Sequence, residues 1–103
     1  RILTPKEIIL SAGEVGREMF FLSHGVVEVL TAEGKHLVKL RAGSFFGEMA
    51  VLQDTPRSAT VQAVTYCDVF VLTQGDLQRV LDSHPELKKI LDAIVQERTH
   101  RYG

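Results

Sequence analysis

Hydrophobic and polar residues change their period once along the chain, close to residue 73. Before that point, short apolar runs alternate with glycine-containing turns, and turn signals return at intervals of roughly 8–12 residues. This spacing is typical of an antiparallel sandwich or barrel and differs from that of βαβ units. The strands predicted on this pattern are residues 7–10, 19–22, 26–30, 36–40, 60–64 and 68–72.

The segment Ala32-Glu33-Gly34-Lys35 separates two of these runs. Gly34 can adopt the positive φ that a tight hairpin turn requires, so we predict a hairpin tip here. Residues 5–72 are therefore predicted to form an antiparallel β-roll, similar to a double-stranded jelly roll.

The last thirty or so residues have a helical period. Thr73 precedes Asp76 by three residues and Ser83 precedes Glu86 by three, which is the spacing of a capping box. We therefore predict two C-terminal helices within 73–103, and one α+β domain spanning 1–103. The apolar residues that define the helix faces are Leu77, Val80 and Leu81 in the first, and Leu87, Ile90, Leu91, Ile94 and Val95 in the second.

The composition is that of an ordinary globular domain, with 103 residues, 45% hydrophobic residues and a net charge of −1. No basic stripe is present, which argues against a nucleic-acid polymer as partner. The apolar runs are only a few residues long, so we expect no direct insertion into a membrane. The chain opens at Arg1 without a Met, and we interpret it as a fragment of a larger protein.

Residues 43–61 carry the most specific chemistry. Gly47 allows a close backbone approach, and residues 48–52 are long enough for one helical turn whose free N–H groups would face an anion. Arg57 beside that turn would clamp a phosphate, and Glu48 would accept hydrogen bonds from hydroxyls. A sugar phosphate meets both demands. The alternative that the spacing leaves open is a surface Glu and a surface Arg on either side of a loop.

The same segment, Phe-Gly-Glu followed by Arg-Ser-Ala, resembles the phosphate-binding cassette of the cyclic-nucleotide-binding domain family, here residues 46–61. Residues 13–21 look like the first glycine motif of that family, and residues 25–29 resemble the strand that follows. The two closing helices resemble its B and C helices. On this resemblance, we expect the N-terminal helical segment of the family to be cut away, or mostly so. The resemblance implies a β-roll with a short helix at the phosphate site, no catalysis, cAMP or cGMP as ligand, and neither a metal nor a redox cofactor.

The resemblance also implies roles for individual residues. Arg57 would pair with the cyclic phosphate, helped by backbone N–H groups near Glu48 and Met49. Glu48 would also accept a hydrogen bond from the ribose 2′-OH, and Ser58 would contact the phosphate or a guanine base. Arg98 in the last helix would reach the base, although an arginine near a helix C-terminus can equally face solvent. The remaining implied ligand-binding residues are Phe46, Gly47, Ala50 and Ala59 in the cassette, with Val29, Val38, Met49 and Leu52 on the apolar side of the pocket.

Within the family, the chain looks most like the cyclic-nucleotide-binding domains of ion channels. Residues 65–67 and 97–103 resemble hyperpolarisation-activated channels. Residues 45–50, together with residues 56–60, resemble prokaryotic cyclic-nucleotide-gated potassium channels. This similarity implies an intracellular domain on the cytoplasmic side of a tetrameric membrane channel, with the pore as effector. A regulatory domain of a cyclic-nucleotide-dependent kinase is the alternative, although such domains usually have Ala at the position of Ser58. Activators of the catabolite type would need a helix-turn-helix after the last helix.

Two further classes of function remain as alternatives. A cupin-like enzyme would need clustered histidines and carboxylates, whereas the histidines stand scattered at positions 24, 36, 84 and 100. A structural relative that no longer binds a ligand would tend to lack an arginine at the position of Arg57, which is present here.

Overall fold

The computed structural model describes residues 1–102, and the side chains of residues 1–101. The chain forms a β-roll followed by two helices, with one short helix inside the roll. The elements in order are β1 (Ile2–Leu3), β2 (Ile8–Leu10), β3 (Glu18–His24), β4 (Val26–Leu30), β5 (His36–Arg41), β6 (Phe45–Phe46), α1 (Glu48–Gln53), β7 (Thr60–Ala63), β8 (Cys67–Thr73), α2 (Gln74–Ser83) and α3 (Pro85–Tyr102).

The strands form two four-stranded antiparallel sheets, in the orders β1-β8-β3-β6 and β2-β7-β4-β5. The predicted antiparallel β-roll with a short helix and two C-terminal helices is therefore confirmed. Buried side chains of both sheets pack into one core, because alternate residues of each strand point inward. Representative members are Phe20, Leu22 and Val69 from the first sheet, and Val27 and Val61 from the second.

Two strands have no counterpart in the sequence prediction. Strands β1 and β6 contain two residues each, which is too short to show a period. Strand β1 pairs with β8, so the first sheet begins at Ile2, ahead of the predicted start at residue 5. Strand β6 pairs with β3 through Phe46 opposite Phe20. It leads the chain directly into α1 and so fixes where that helix begins.

Of the two predicted capping boxes, the one at Thr73 forms its N-cap hydrogen bond. The Thr73 hydroxyl accepts a hydrogen bond from the Asp76 N–H at 3.1 Å, and α2 begins at the next residue after Thr73. The box predicted at Ser83 is wrong, because Ser83 is the last residue of α2. His84 alone separates the helices, and Pro85 starts α3, where its missing N–H costs nothing.

The three helices share a layer on the outer face of the first sheet. A second cluster of buried apolar residues forms there from Met19, Val51, Leu77 and Leu81. Helix α3 contributes less to this layer than its sequence suggests. Val95 is buried, but Ile90, which belongs to the same predicted face, is 57% exposed. The helix therefore touches the rest of the chain along a narrow line.

A search for helices of membrane-spanning length and hydrophobicity finds none among the described residues.

Candidate ligand-binding site

The site is built around the turn between β6 and α1. Gly47 is the N-cap of α1 and has a φ of +83°, in the left-handed region that favours glycine. A Cβ at this position would also lie 2.9 Å from Nη1 of Arg57. No side chain among the described residues caps the helix, so within this part of the chain its first N–H groups have neither an intrahelical partner nor a side-chain partner. The residues that carry them, Glu48, Met49 and Ala50, line a cleft.

Arg57 is held at the same cleft by the backbone on every side. Its side chain donates from Nη1 to the Gly47 carbonyl and from Nη2 to the Glu18 carbonyl, both at 2.8 Å. Its own N–H donates to the Glu14 carbonyl, also at 2.8 Å. The guanidinium carbon lies 5.9 Å from the centroid of the Phe20 ring. The residue is only 8% exposed.

The charge of Arg57 has no partner of opposite sign within the chain as described. Among residues 1–102, no carboxylate oxygen lies within 4.0 Å of the guanidinium nitrogens. Burial lowers the pKa of Arg57 below its ordinary value, and the more distant Glu18, Glu14 and Glu48 act in the opposite direction. A guanidinium remains charged in proteins, and a buried charge is costly unless it is paired. The geometry therefore suits an external anion.

Glu48 supplies a buried carboxylate at the other end of the turn. It is 2% exposed, and its Oε1 accepts a hydrogen bond from Nη1 of Arg98 at 2.6 Å. The same Arg98 nitrogen donates to the Phe45 carbonyl at 2.8 Å, and the guanidinium carbon lies 4.8 Å from the Phe45 ring centroid. Arg98 does not face solvent, since its side chain is 15% exposed. Helix α3 is thus fastened across the cleft by an arginine that contacts protein groups.

The cleft brings together every predicted site residue except Val38 and Leu52. Its volume is about 40 Å³. The residues that line it are Leu10, Val29, Leu40, Phe46, Gly47, Glu48, Met49, Ala50, Arg57, Ser58, Ala59, Val61 and Arg98.

The structure places two of the predicted ligand-binding residues, Val38 and Leu52, outside the cleft lining. Val38 stands opposite Val29 in the β4–β5 ladder and packs, half-buried, against the core of the roll. Leu52 packs among Met19 and Leu77 on the far side of α1. A helix repeats every 3.6 residues, so the start of α1 can face the cleft while Leu52 faces α2. Neither residue is part of the cleft lining.

Three lining residues were missed from the sequence: Leu10, Leu40 and Val61. Val61 stands opposite Leu10 in one ladder and opposite Val29 in the other. Leu40 lies two residues from Val38, on the same side of β5. The period of two along each strand was the available signal, but only the pairing of β2, β7 and β4 shows that these side chains meet.

The arrangement can recognise an anion and hydroxyls together. Arg57 and the free N–H groups of α1 offer donors at one end, Glu48 offers an acceptor beside them, and the aliphatic side chains form an apolar wall. Within residues 1–102, no three His, Cys, Asp or Glu side chains converge as metal ligands would.

Comparison with known proteins places this site in a family. Residues 1–84 match the model of the cyclic nucleotide-binding domain. The chain belongs to the cyclic nucleotide-binding domain family. Arg98 lies beyond the matched segment, so its position rests on the structure and on the longer similarities that follow.

The longer similarities cover nearly the whole chain. The mouse (Mus musculus) potassium/sodium hyperpolarization-activated cyclic nucleotide-gated channel 2 is 35% identical over 102 residues, which are 99% of this chain and 12% of the channel. Cyclic-AMP-bound PfPKA-R is 27% identical with a TM-score of 0.80, covering 97% of this chain and 36% of that one. The catabolite activator protein of Thermus thermophilus is 26% identical with a TM-score of 0.87, covering 97% and 49%. The chain therefore spans about an eighth of the channel it resembles.

Proposed function

We propose that this domain binds cAMP or cGMP in the cleft between the roll and α3, and that it acts as a regulatory sensor for an attached effector. The observation that carries the proposal is Arg57, a buried guanidinium without a carboxylate partner among the described residues. Membership of the cyclic nucleotide-binding domain family supports a cyclic phosphate as the missing anion.

The phosphate would lie between Arg57 and the first turn of α1. Two of the five N–H groups of the guanidinium hold the carbonyls of Gly47 and Glu18, which leaves donors for the phosphate oxygens. The N–H groups at the start of α1 add donors on the other side. A phosphate there would compensate the buried charge that the free protein leaves uncompensated.

The sugar and the base would occupy the rest of the cleft. The Glu48 carboxylate would accept a hydrogen bond from the ribose 2′-OH. The base would lie along the apolar side chains of the cleft, which include Val29 and Val61. Ser58 also lines the cleft and would contact the phosphate or a guanine base. Arg98 of α3 donates a hydrogen bond to the same Glu48 carboxylate. The ribose hydroxyl and Arg98 would therefore both donate to Glu48.

Helix α3 forms part of the site, because Arg98 lines the cleft. The Arg98–Glu48 pair holds α3 at the cleft. Ligand binding shifts the population of α3 positions only if the nucleotide binds one position more tightly than the other, and that difference is what an effector would read.

The proposed effector is the pore of a tetrameric membrane channel, with this domain on the cytoplasmic side. The 35% identity to the mouse hyperpolarization-activated channel over almost the full chain supports this assignment. The second candidate is a kinase regulatory protein, which the structural similarity to PfPKA-R favours.

The test is isothermal titration calorimetry of the domain with cAMP and with cGMP. We expect Arg57→Ala to weaken binding on the order of 10- to 100-fold, because a charged hydrogen bond contributes about 1.5–3 kcal/mol and each decade corresponds to about 1.4 kcal/mol. Arg41→Ala is the matched control, since Arg41 is exposed at the end of β5 and outside the cleft. Equal affinity in the wild type and Arg57→Ala would remove Arg57 from the site.

A further inference from the structure

Gln74, the first residue of α2, is hydrogen-bonded to two separate parts of the roll. Its N–H donates to the Arg17 carbonyl at 2.8 Å. Its side-chain Nε2 donates to the Val51 carbonyl in α1 at 3.1 Å. Gln74 is half-buried and does not line the ligand cleft. Its contacts therefore serve the placement of elements and not direct contact with a ligand.

Each of these two partners belongs to an element that holds the anion site. Gly16 precedes Arg17, and the Arg57 guanidinium lies so close to Gly16 that a Cβ there would stand 2.7 Å from Nη1. Val51 lies in α1, whose first turn lines the cleft. Its carbonyl is one of the last four of that helix, which lack an intrahelical partner. One residue thus contacts both sides of the place where the phosphate is proposed to bind.

The side-chain bond of Gln74 is not a helix cap. Thr73 already caps α2 through the Asp76 N–H, and the Gln74 amide reaches a different helix instead. Gln78, one turn later, shows the local alternative. Its amide donates at 2.9 Å to Asp82 within the same helix. The two glutamines therefore share a helix and a chemistry but differ in what they connect.

We propose that Gln74 is the positioning residue that transmits occupancy of the anion site to α2 and through it to α3. Only His84 separates α2 from α3, and α3 carries Arg98. A shift of α1 or of the Gly16–Arg17 segment on anion capture moves the first turn of α2, and that movement is passed on to the helix that closes the cleft. This inference rests on the proposed function.

The experiment measures the movement of α3 with cAMP as the probe. Nitroxide labels go on Lys39 in β5 and Gln96 in α3, both exposed, in a Cys67→Ala background, and pulsed electron paramagnetic resonance gives their separation. Calorimetry on the same proteins gives the affinity. We expect cAMP to change the label separation in the wild type and in Gln78→Met. In Gln74→Met we expect cAMP affinity to stay within about threefold while the change in separation falls to less than half.

A second variant separates coupling from general damage. In Gln74→Glu the carboxylate cannot donate to the Val51 carbonyl at neutral pH, whereas the protonated acid can. We expect the cAMP-induced change to be lost at pH 7 and recovered near pH 4, below the ordinary pKa of a glutamic acid of about 4.3. The wild type, measured at both values, gives the reference for each pH. A purely structural role would not produce recovery on acidification.

The outcomes distinguish this inference from the function beneath it. A full change in separation in Gln74→Met, an equal loss in Gln78→Met, or no recovery in Gln74→Glu overturns the role of Gln74 and leaves cyclic-nucleotide binding intact. A wild type that binds cAMP without any change in separation also overturns it. A wild type that binds neither cAMP nor cGMP overturns the proposed function itself, and this inference with it.

Discussion

The roll and the C-terminal helices each present one arginine to the cleft, and the two arginines are compensated differently. The guanidinium of Arg57 on the roll donates hydrogen bonds to backbone carbonyls, with no carboxylate within 4.0 Å among the described residues. Arg98 on α3 has the buried Glu48 as its ion partner. The charge of Arg57 therefore has no anionic side chain beside it among the described residues, whereas the charge of Arg98 is compensated within the protein. A cleft of this kind has an anion receptor on one side and a closure by an ion pair on the other.

The largest effect expected from breaking the closure is on stability. Glu48→Gln keeps the shape of the side chain but removes the buried charge that Arg98 faces, so we expect the free energy of unfolding to fall by about 1.5–3 kcal/mol. Urea unfolding followed by circular dichroism measures this. Glu97→Gln is the control, because its ion pair with Arg101 joins side chains that are 67% and 64% exposed. We expect that change to cost less than about 0.5 kcal/mol. An equal decrease in the free energy of unfolding in both variants would mean that the buried Glu48–Arg98 pair stabilises the domain no more than the exposed pair does.

The next effect concerns Arg57 on the roll and is measured as cAMP affinity. Gly16→Ala places a methyl group against the Arg57 guanidinium, and a side chain is displaced more easily than a backbone. We expect cAMP affinity by calorimetry to fall about tenfold, or about 1.4 kcal/mol, with little loss of stability. Gly75→Ala is the control, since nothing lies within 4 Å of a Cβ at that position. If Gly16→Ala binds cAMP with the affinity of the wild type, cAMP binding does not depend on the observed position of the Arg57 guanidinium.

The smallest effect tests whether affinity merely follows stability. Lys6 has a φ of +73° after Pro5, in a turn closed by a 3.0 Å bond from the Glu7 N–H to the Thr4 carbonyl, which is a conformation suited to glycine. We expect Lys6→Gly to raise stability by about 0.5–1 kcal/mol, because the relieved strain exceeds the entropy that glycine adds to the unfolded chain.

Thermal unfolding and calorimetry check the Lys6 prediction together. A gain of that size should raise Tm by roughly 2–8 °C while cAMP affinity stays the same. Lys35→Gly serves as control, since Lys35 is exposed in a hairpin loop without a positive φ. A change in affinity in Lys6→Gly would show that the contrast between the two arginines reflects global stability and not the local geometry of the cleft.

More of the fold than of the ligand-binding site could be predicted from the sequence. Local features determine much of the architecture: strands with a period of two, Gly34 at the hairpin tip with a φ of +89°, and the Thr73 cap. The architecture could therefore be predicted from the sequence pattern. The cassette residues from Phe46 to Ala59 were accessible as well, because they are close in sequence. Leu10, Leu40 and Val61 line the cleft without having been predicted, whereas the predicted Val38 and Leu52 lie outside its lining. Which wall of the cleft a strand or a helix side faces depends on pairing and packing, and neither is local.

The sequence by itself determined the order of elements and the residue types at the anion site, because backbone preferences and periodic burial act over a few residues. Only the tertiary structure decided how each charge is compensated. It placed Arg57 against carbonyls 10 and 39 residues away and left it without a carboxylate among the described residues. It brought Arg98 across 50 residues to Glu48. Electrostatic pairing depends on distance in space, and distance in space follows from the packing of the whole domain.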